Sequence, residues 1–112
     1  MLTAHSDINV IIGADQAITG ALQAVTDAGV KDKIDLIGYG AGANAITGIA
    51  AGDRYATVAQ LPATEGRLGV EQLIKFLRTG VKTPGMDPLA SMPDDGIIVK
   101  DNAPKFTAEW PG

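Results

Sequence analysis

A chain of 112 residues with 46% hydrophobic and only 4% aromatic residues holds one small core, built from Ala, Val, Ile and Leu. Its net charge of −4 and lack of a Lys/Arg cluster argue against a nucleic-acid surface. The absence of cysteine removes disulfides and thiolate zinc sites without fixing the compartment.

The opening MLTAHSDI has neither the basic nor the apolar region of a signal peptide, and no apolar run reaches the length of a membrane span. Met1 to Ile8 reads as a helix end or loop, and His5, the one histidine, as a solvated side chain. Val10-Ile11-Ile12 is a run of branched apolar residues, expected as a strand buried on both faces. The chain turns at Gly13-Ala14-Asp15 and continues as a helix to about Ala28, with Ile18, Ala21, Leu22 and Val25 at helical spacing and Gly29 as its left-handed cap. After the polar turn Lys31-Asp32-Lys33 comes a second strand, Ile34 to Ile37, ending at Gly38-Tyr39-Gly40-Ala41-Gly42. A short helix turns Ile46 and Ile49 inward and closes at Gly52, and Tyr55 to Gln60 is a third strand.

Pro62 suits the first turn of a helix, which runs to Thr79 with Val70, Leu73, Ile74 and Leu77 on one face. Gly66 and Gly69 weaken that helix, which points to close approach of a neighbouring element. Lys82 to Asp95, with three prolines, reads as an irregular loop. Gly96 to Lys100 is a fourth strand, and Asn102 is placed to cap a last short helix toward Trp110. The alternation of strand and helix predicts an α/β fold: a parallel sheet flanked by helices.

Three consecutive strands end in polar or turn chemistry, at Asp15, at Tyr39-Gly40 and at Gln60. In a parallel sheet these ends share one edge, where free N–H groups and helix dipoles meet polar ligand atoms. Asp15 alone reads as a helix cap or first-turn carboxylate worth about 1 kcal/mol. Gln60 is donor and acceptor at once and suits a hydroxyl. GYGAGA lacks the spacing of a dinucleotide loop, and no P-loop lysine follows it. Asp94-Asp95 lacks calcium-loop spacing and reads as a solvated turn. No serine stands with a histidine and an acid as a nucleophile site requires. Neither an enzyme nor a metal or cofactor is expected.

Taken in order, these residues resemble the C-terminal part of a type I periplasmic sugar-binding protein of the ribose-binding kind, from about Asp7 to Lys100. The resemblance rests on Ala14-Asp15 followed by Ile18-Thr19-Gly20-Ala21-Leu22, on Gly38-Tyr39-Gly40, on Ala50-Ala51-Gly52, on Ala56-Thr57-Val58-Ala59-Gln60-Leu61-Pro62, and on Glu65-Gly66-Arg67-Leu68-Gly69. It implies the sugar- or polyol-binding subunit of an ABC importer, with two lobes on a hinge, a permease partner and a periplasmic or extracytoplasmic parent. The implied ligand contacts are Asp15, Tyr39, Gly40 and Gln60. The first residue of the family's Asn-Asp pair is Ala14 here, and the position often held by a sugar-binding Asp is Gly40, so the expectation is either a different sugar or polyol or a cleft that relies on backbone N–H groups of the Gly40-Ala41-Gly42 turn.

The resemblance divides the chain into 1–61, part of the C-terminal lobe; 62–95, a helix and loop crossing to an N-terminal lobe; and 96–112, a terminal strand and short helix near the hinge. It also implies a longer parent, in which the 62–79 helix packs on the other lobe. In this chain alone the stripe is then expected either to self-associate or to fold back onto the sheet. The alternative reading is the effector-binding domain of a lac-repressor-type regulator. Such domains carry Val-Pro-x-Asp before the second strand, where this chain has Val30-Lys31-Asp32-Lys33 and no DNA-binding headpiece. A response-regulator-like or nucleotide-binding module would need an acidic cluster or phosphate loop that is absent.

Overall fold

The computed structural model describes residues 2–90 and 92–112. Met1 in the lead-in and Ser91 in the loop lie outside the described residues. The elements are β1 (Val10–Ile12), α1 (Asp15–Asp27), β2 (Asp35–Gly40), α2 (Ala43–Ala51), β3 (Ala56–Ala59), α3 (Pro62–Thr79) and β4 (Ile97–Val99), with 3-10 turns at Lys31–Lys33, Pro93–Gly96 and Ala103–Lys105. They form one sheet in the order β1-β2-β3-β4. The second strand is longer than its apolar run predicts, because Gly38-Tyr39-Gly40 stays extended and pairs with Thr57, Val58 and Ala59.

The first three strands are parallel, as expected, but β4 is antiparallel to β3, so the sheet is mixed. The reason is the path between them. The chain leaves β3 at Gln60, runs out along α3, and returns to the same edge, so it re-enters the sheet in the opposite direction. Ile97 pairs with Val58 and Val99 with Ala56. The expected last helix is only the 3-10 turn Ala103–Lys105. Asn102 does not cap it: its side chain accepts from the Val99 N–H (2.8 Å) and donates to Asp94 Oδ2 (2.8 Å) and the Ile97 carbonyl (2.9 Å). Those three bonds hold β4 to the turn that precedes it.

Both α1 and α2 cover one face of the sheet. Ile18 and Val25 of α1 pack with Ile34 and Leu36. Ile49 of α2 packs with Ala41, Ala59, Ile98 and Phe106. Burying such side chains stabilises by roughly 1.5–3 kcal/mol each. Among the described residues the other face carries no helix. Val10, Ile12, Tyr39 and Ile97 are exposed there, Ile12 by 74%. The expectation that β1 is buried on both faces therefore fails on one side. Its apolar run is that of a two-sided strand, and the second covering layer is not among the described residues.

No residue of α3 is buried, and nothing lies within 4 Å of a side chain added at Gly66 or Gly69. The close neighbour those glycines predict is not among the described residues. The helix does not fold back onto the sheet: Val70, Leu73, Ile74 and Leu77 are all exposed, Leu77 by 72%. The projection stretches the molecule to a radius of gyration of 17.6 Å, against about 13 Å for a compact chain of this length. We expect this chain to self-associate at micromolar concentration through the stripe. Leu73→Lys with Leu77→Lys should then abolish the larger species in sedimentation while circular dichroism keeps its helix signal. A chain already monomeric before mutation would disprove the association.

Candidate functional site

The three polar strand ends share one edge of the sheet. Gly13 donates its N–H to the Ile37 carbonyl (3.1 Å), and Gln60 donates its N–H to the Gly40 carbonyl (3.3 Å). The turns after β1, β2 and β3 therefore lie side by side.

Asp15 opens α1 from the first turn, since Ala14 holds the N-cap position. Its side chain is not solvated: the residue is 0% exposed. Oδ1 accepts from the Thr57 hydroxyl at 3.0 Å and faces Arg54 Nη1 at 3.4 Å. The same Nη1 reaches the Asp15 carbonyl at 3.3 Å, and Nη2 donates to Thr19 Oγ1 at 2.7 Å. The Thr19 hydroxyl in turn donates to the Asp15 carbonyl at 3.0 Å. Arg54 is itself buried, its shaft against Gly48 of α2. A buried ion pair thus ties α1, α2 and β3 together beneath the edge. Asp15 Oδ2 is the one buried side-chain oxygen without a partner among the described residues.

The Gly-Tyr-Gly sequence has a steric origin. Alternation along β2 turns positions 38 and 40 toward Asp15 and position 39 to the uncovered face. A Cβ at Gly38 would collide with Asp15 Oδ1. A Cβ at Gly40 would stand 3.0 Å from both Asp15 Oδ2 and Trp110 Cζ2, and Gly40 has φ +139°, a conformation side chains avoid. Both glycines leave room for the buried carboxylate.

Trp110 belongs to the C-terminal segment Thr107–Gly112, which crosses this edge. Its indole N–H donates to the Gly40 carbonyl at 3.0 Å. The Trp110 and Pro111 carbonyls accept from the Ala43 and Asn44 N–H groups, at 3.0 and 3.2 Å. These are N–H groups of the first turn of α2, which the helix itself leaves free. Glu109 accepts from the Thr64 N–H (2.9 Å) and from the Thr64 hydroxyl, joining the segment to the start of α3. The two bonds from Thr64, the hydroxyl's first and the N–H's second, hold the Glu109 carboxyl below the ordinary carboxylate range.

Of the four residues expected at a ligand, Asp15, Gly40 and Gln60 are brought together. Asp15 and Gly40 are buried and Gln60 is exposed. Tyr39 is 52% exposed, at the same edge but on the other face of the sheet. Arg54, Thr57, Glu109 and Trp110 were not legible as parts of this site. The one available signal was Thr57, a polar residue in an otherwise apolar strand. A cavity of about 470 Å³ lies at the opposite edge among Lys31, Asp53, Tyr55 and Lys100, where Lys31 and Asp53 pair. Among the described residues no cluster of His, Asp or Glu could hold a metal ion.

Residues 1–81 match the family described as "Periplasmic binding protein domain". The chain belongs to that family. No curated protein sequence matches it significantly. Solved structures of periplasmic binding proteins superpose on nearly all of it. A solute-binding protein of an ABC transporter from Actinobacillus succinogenes, with bound D-allose, is 27% identical with a TM-score of 0.79 over 94% of this chain. The myo-inositol-binding protein of Caulobacter, bound to myo-inositol, is 30% identical with a TM-score of 0.75 over 96%. The periplasmic ribose ABC transporter protein of Conexibacter woesei, 24% identical with a TM-score of 0.75 over 93%, shares the fold. The chain spans 35%, 36% and 34% of the length of these structures, about a third in each case. The α/β sheet with flanking helices is thus a part of the type I periplasmic-binding-protein fold.

Proposed function

We propose that this chain carries part of the solute cleft of an ABC importer's binding protein and takes a sugar or polyol. The observation that carries the reading is the convergence of Asp15, the Gly40-Ala41-Gly42 turn and Gln60 on one sheet edge. A hydroxyl donates and accepts at once, and this edge offers both partners: a carboxylate oxygen without a donor and the amide of Gln60. Tyr39, exposed at the same edge, offers a ring for a sugar face. The role proposed is binding, as in the solute-binding proteins it superposes on. In this reading α3 and the loop that follows it cross to a second lobe, whose apolar surface covers the α3 stripe, and the chain is back on this lobe at Leu89 and Met92, which pack against its core. The protein works in the periplasm and delivers its solute to a permease. The family and the transport proteins it superposes on favour this over a regulator's effector domain.

Titration calorimetry of this chain with D-allose, myo-inositol and D-ribose tests the reading. At least one is expected to give saturable heat, and Gln60→Ala should weaken it by about tenfold, or about 1.4 kcal/mol. No saturable heat from any of them at millimolar concentration would overturn it.

A further inference from the structure

The segment Thr107–Gly112 lies where a solute should. Its two successive carbonyls, of Trp110 and Pro111, occupy the Ala43 and Asn44 N–H groups of α2. Helix N-terminal N–H groups at this edge of an open α/β sheet are where ligand oxygens are met. The Trp110 ring stands over Gly40, beside Asp15 Oδ2, the buried oxygen that has no donor. The indole N–H goes to the Gly40 carbonyl and leaves that oxygen unsatisfied. The segment therefore satisfies the donors of the edge but not its acceptor, whereas a hydroxyl would satisfy both.

We propose that Thr107–Gly112 is an internal competitor for the solute: its carbonyls stand in for ligand oxygens at Ala43 and Asn44, and a sugar or polyol must displace it to reach Asp15 Oδ2. This rests on the solute-binding reading above. The segment is built to leave. Thr107, Pro111 and Gly112 are exposed, and its ties are two backbone bonds, the Trp110 indole and the Glu109 carboxylate on Thr64. Because Glu109 grips the first turn of α3, displacement also frees the start of the element that leaves the sheet. A solute thus releases α3 from this tie at the moment it binds.

Competition reduces apparent affinity by the fraction of molecules with the edge open, so a segment seated in about nine of ten molecules weakens binding about tenfold. The test compares the full chain with one ending at Phe106, each titrated with D-allose, myo-inositol and D-ribose by calorimetry. The shorter chain is expected to bind the same sugar about tenfold more tightly. Trp110 is the only tryptophan, so saturating the full chain should also shift its emission to the red as the ring moves into water. If the shorter chain loses its circular dichroism, the 112-residue variant carrying Glu109→Gln and Trp110→Ala is used under the same criterion. Equal or weaker binding by the freed chain overturns the competition and leaves the solute-binding reading standing. No binding by either chain overturns both.

Discussion

Arg54→Met is expected to lower the unfolding free energy by about 3–5 kcal/mol, a large share of the 5–15 kcal/mol typical of small domains. Asp15 and Arg54 are both out of water, and among the described residues the guanidinium is the only cation paired with that carboxylate. Removing it leaves Asp15 with the Thr57 hydroxyl alone against the cost of burying a charge. As a first-turn carboxylate, Asp15 is worth only about 1 kcal/mol. Burial changes the scale, so Asp15→Ala should exceed that value as well. The double replacement Asp15→Leu with Arg54→Met should recover much of the loss, because the two charges disappear together. Urea unfolding of the three variants measures this. A midpoint for Arg54→Met unchanged within error would show that the pair contributes no net stability.

Gly38→Ala is expected to cost about 3 kcal/mol, at the upper end of overpacking. The added methyl collides with Asp15 Oδ1 and stands 3.0 Å from Thr57 Oγ1. Neither atom is the loose end of a long side chain, and both are held in the same buried network. Relief requires Asp15 to give up a partner, so the steric and electrostatic costs combine. The melting temperature should fall by roughly 10 °C or more. Gly66→Ala is the control. It adds a methyl to exposed α3 with nothing within 4 Å, so helix propensity alone should stabilise it by about 0.5–1 kcal/mol. Equal effects from the two substitutions would show that the contact at Gly38 carries no cost.

Local pattern made most of the elements legible. The bounds of α3 follow from Pro62 and Gly80, and the strand-turn-helix units follow from Ile11 through Ala51. Pattern could not say which faces have covers: Val10 and Ile12 are as apolar as Ile11, yet only the α1 side is covered. Nor could it give the direction of β4, which depends on where α3 points rather than on the residues Ile97 to Val99. At the site, Asp15 and Gly40 were legible because turns and helix starts have short-range signatures. Arg54 and Trp110 were not, because each meets the site across a long stretch of sequence, Arg54 from 39 residues away and Trp110 from 70. The Gly-Tyr-Gly sequence was visible as a turn, but its cause, the carboxylate lying over it, is a fact of packing.

The antiparallel pairing of Val58 with Ile97 brings both ends of the α3 excursion to one point on the sheet. No residue of α3 is buried, whereas Leu89 and Met92, on the way back, do pack into the core. The excursion is therefore an insertion site in the engineering sense. A short turn replacing Pro62 to Gly85 should leave the sheet intact, and each halving of the loop reduces its closure cost by about 0.6 kcal/mol. By the same logic a longer guest, such as a reporter domain whose termini lie close together, could be grafted between Pro62 and Gly85 and carried without disturbing the strands on either side.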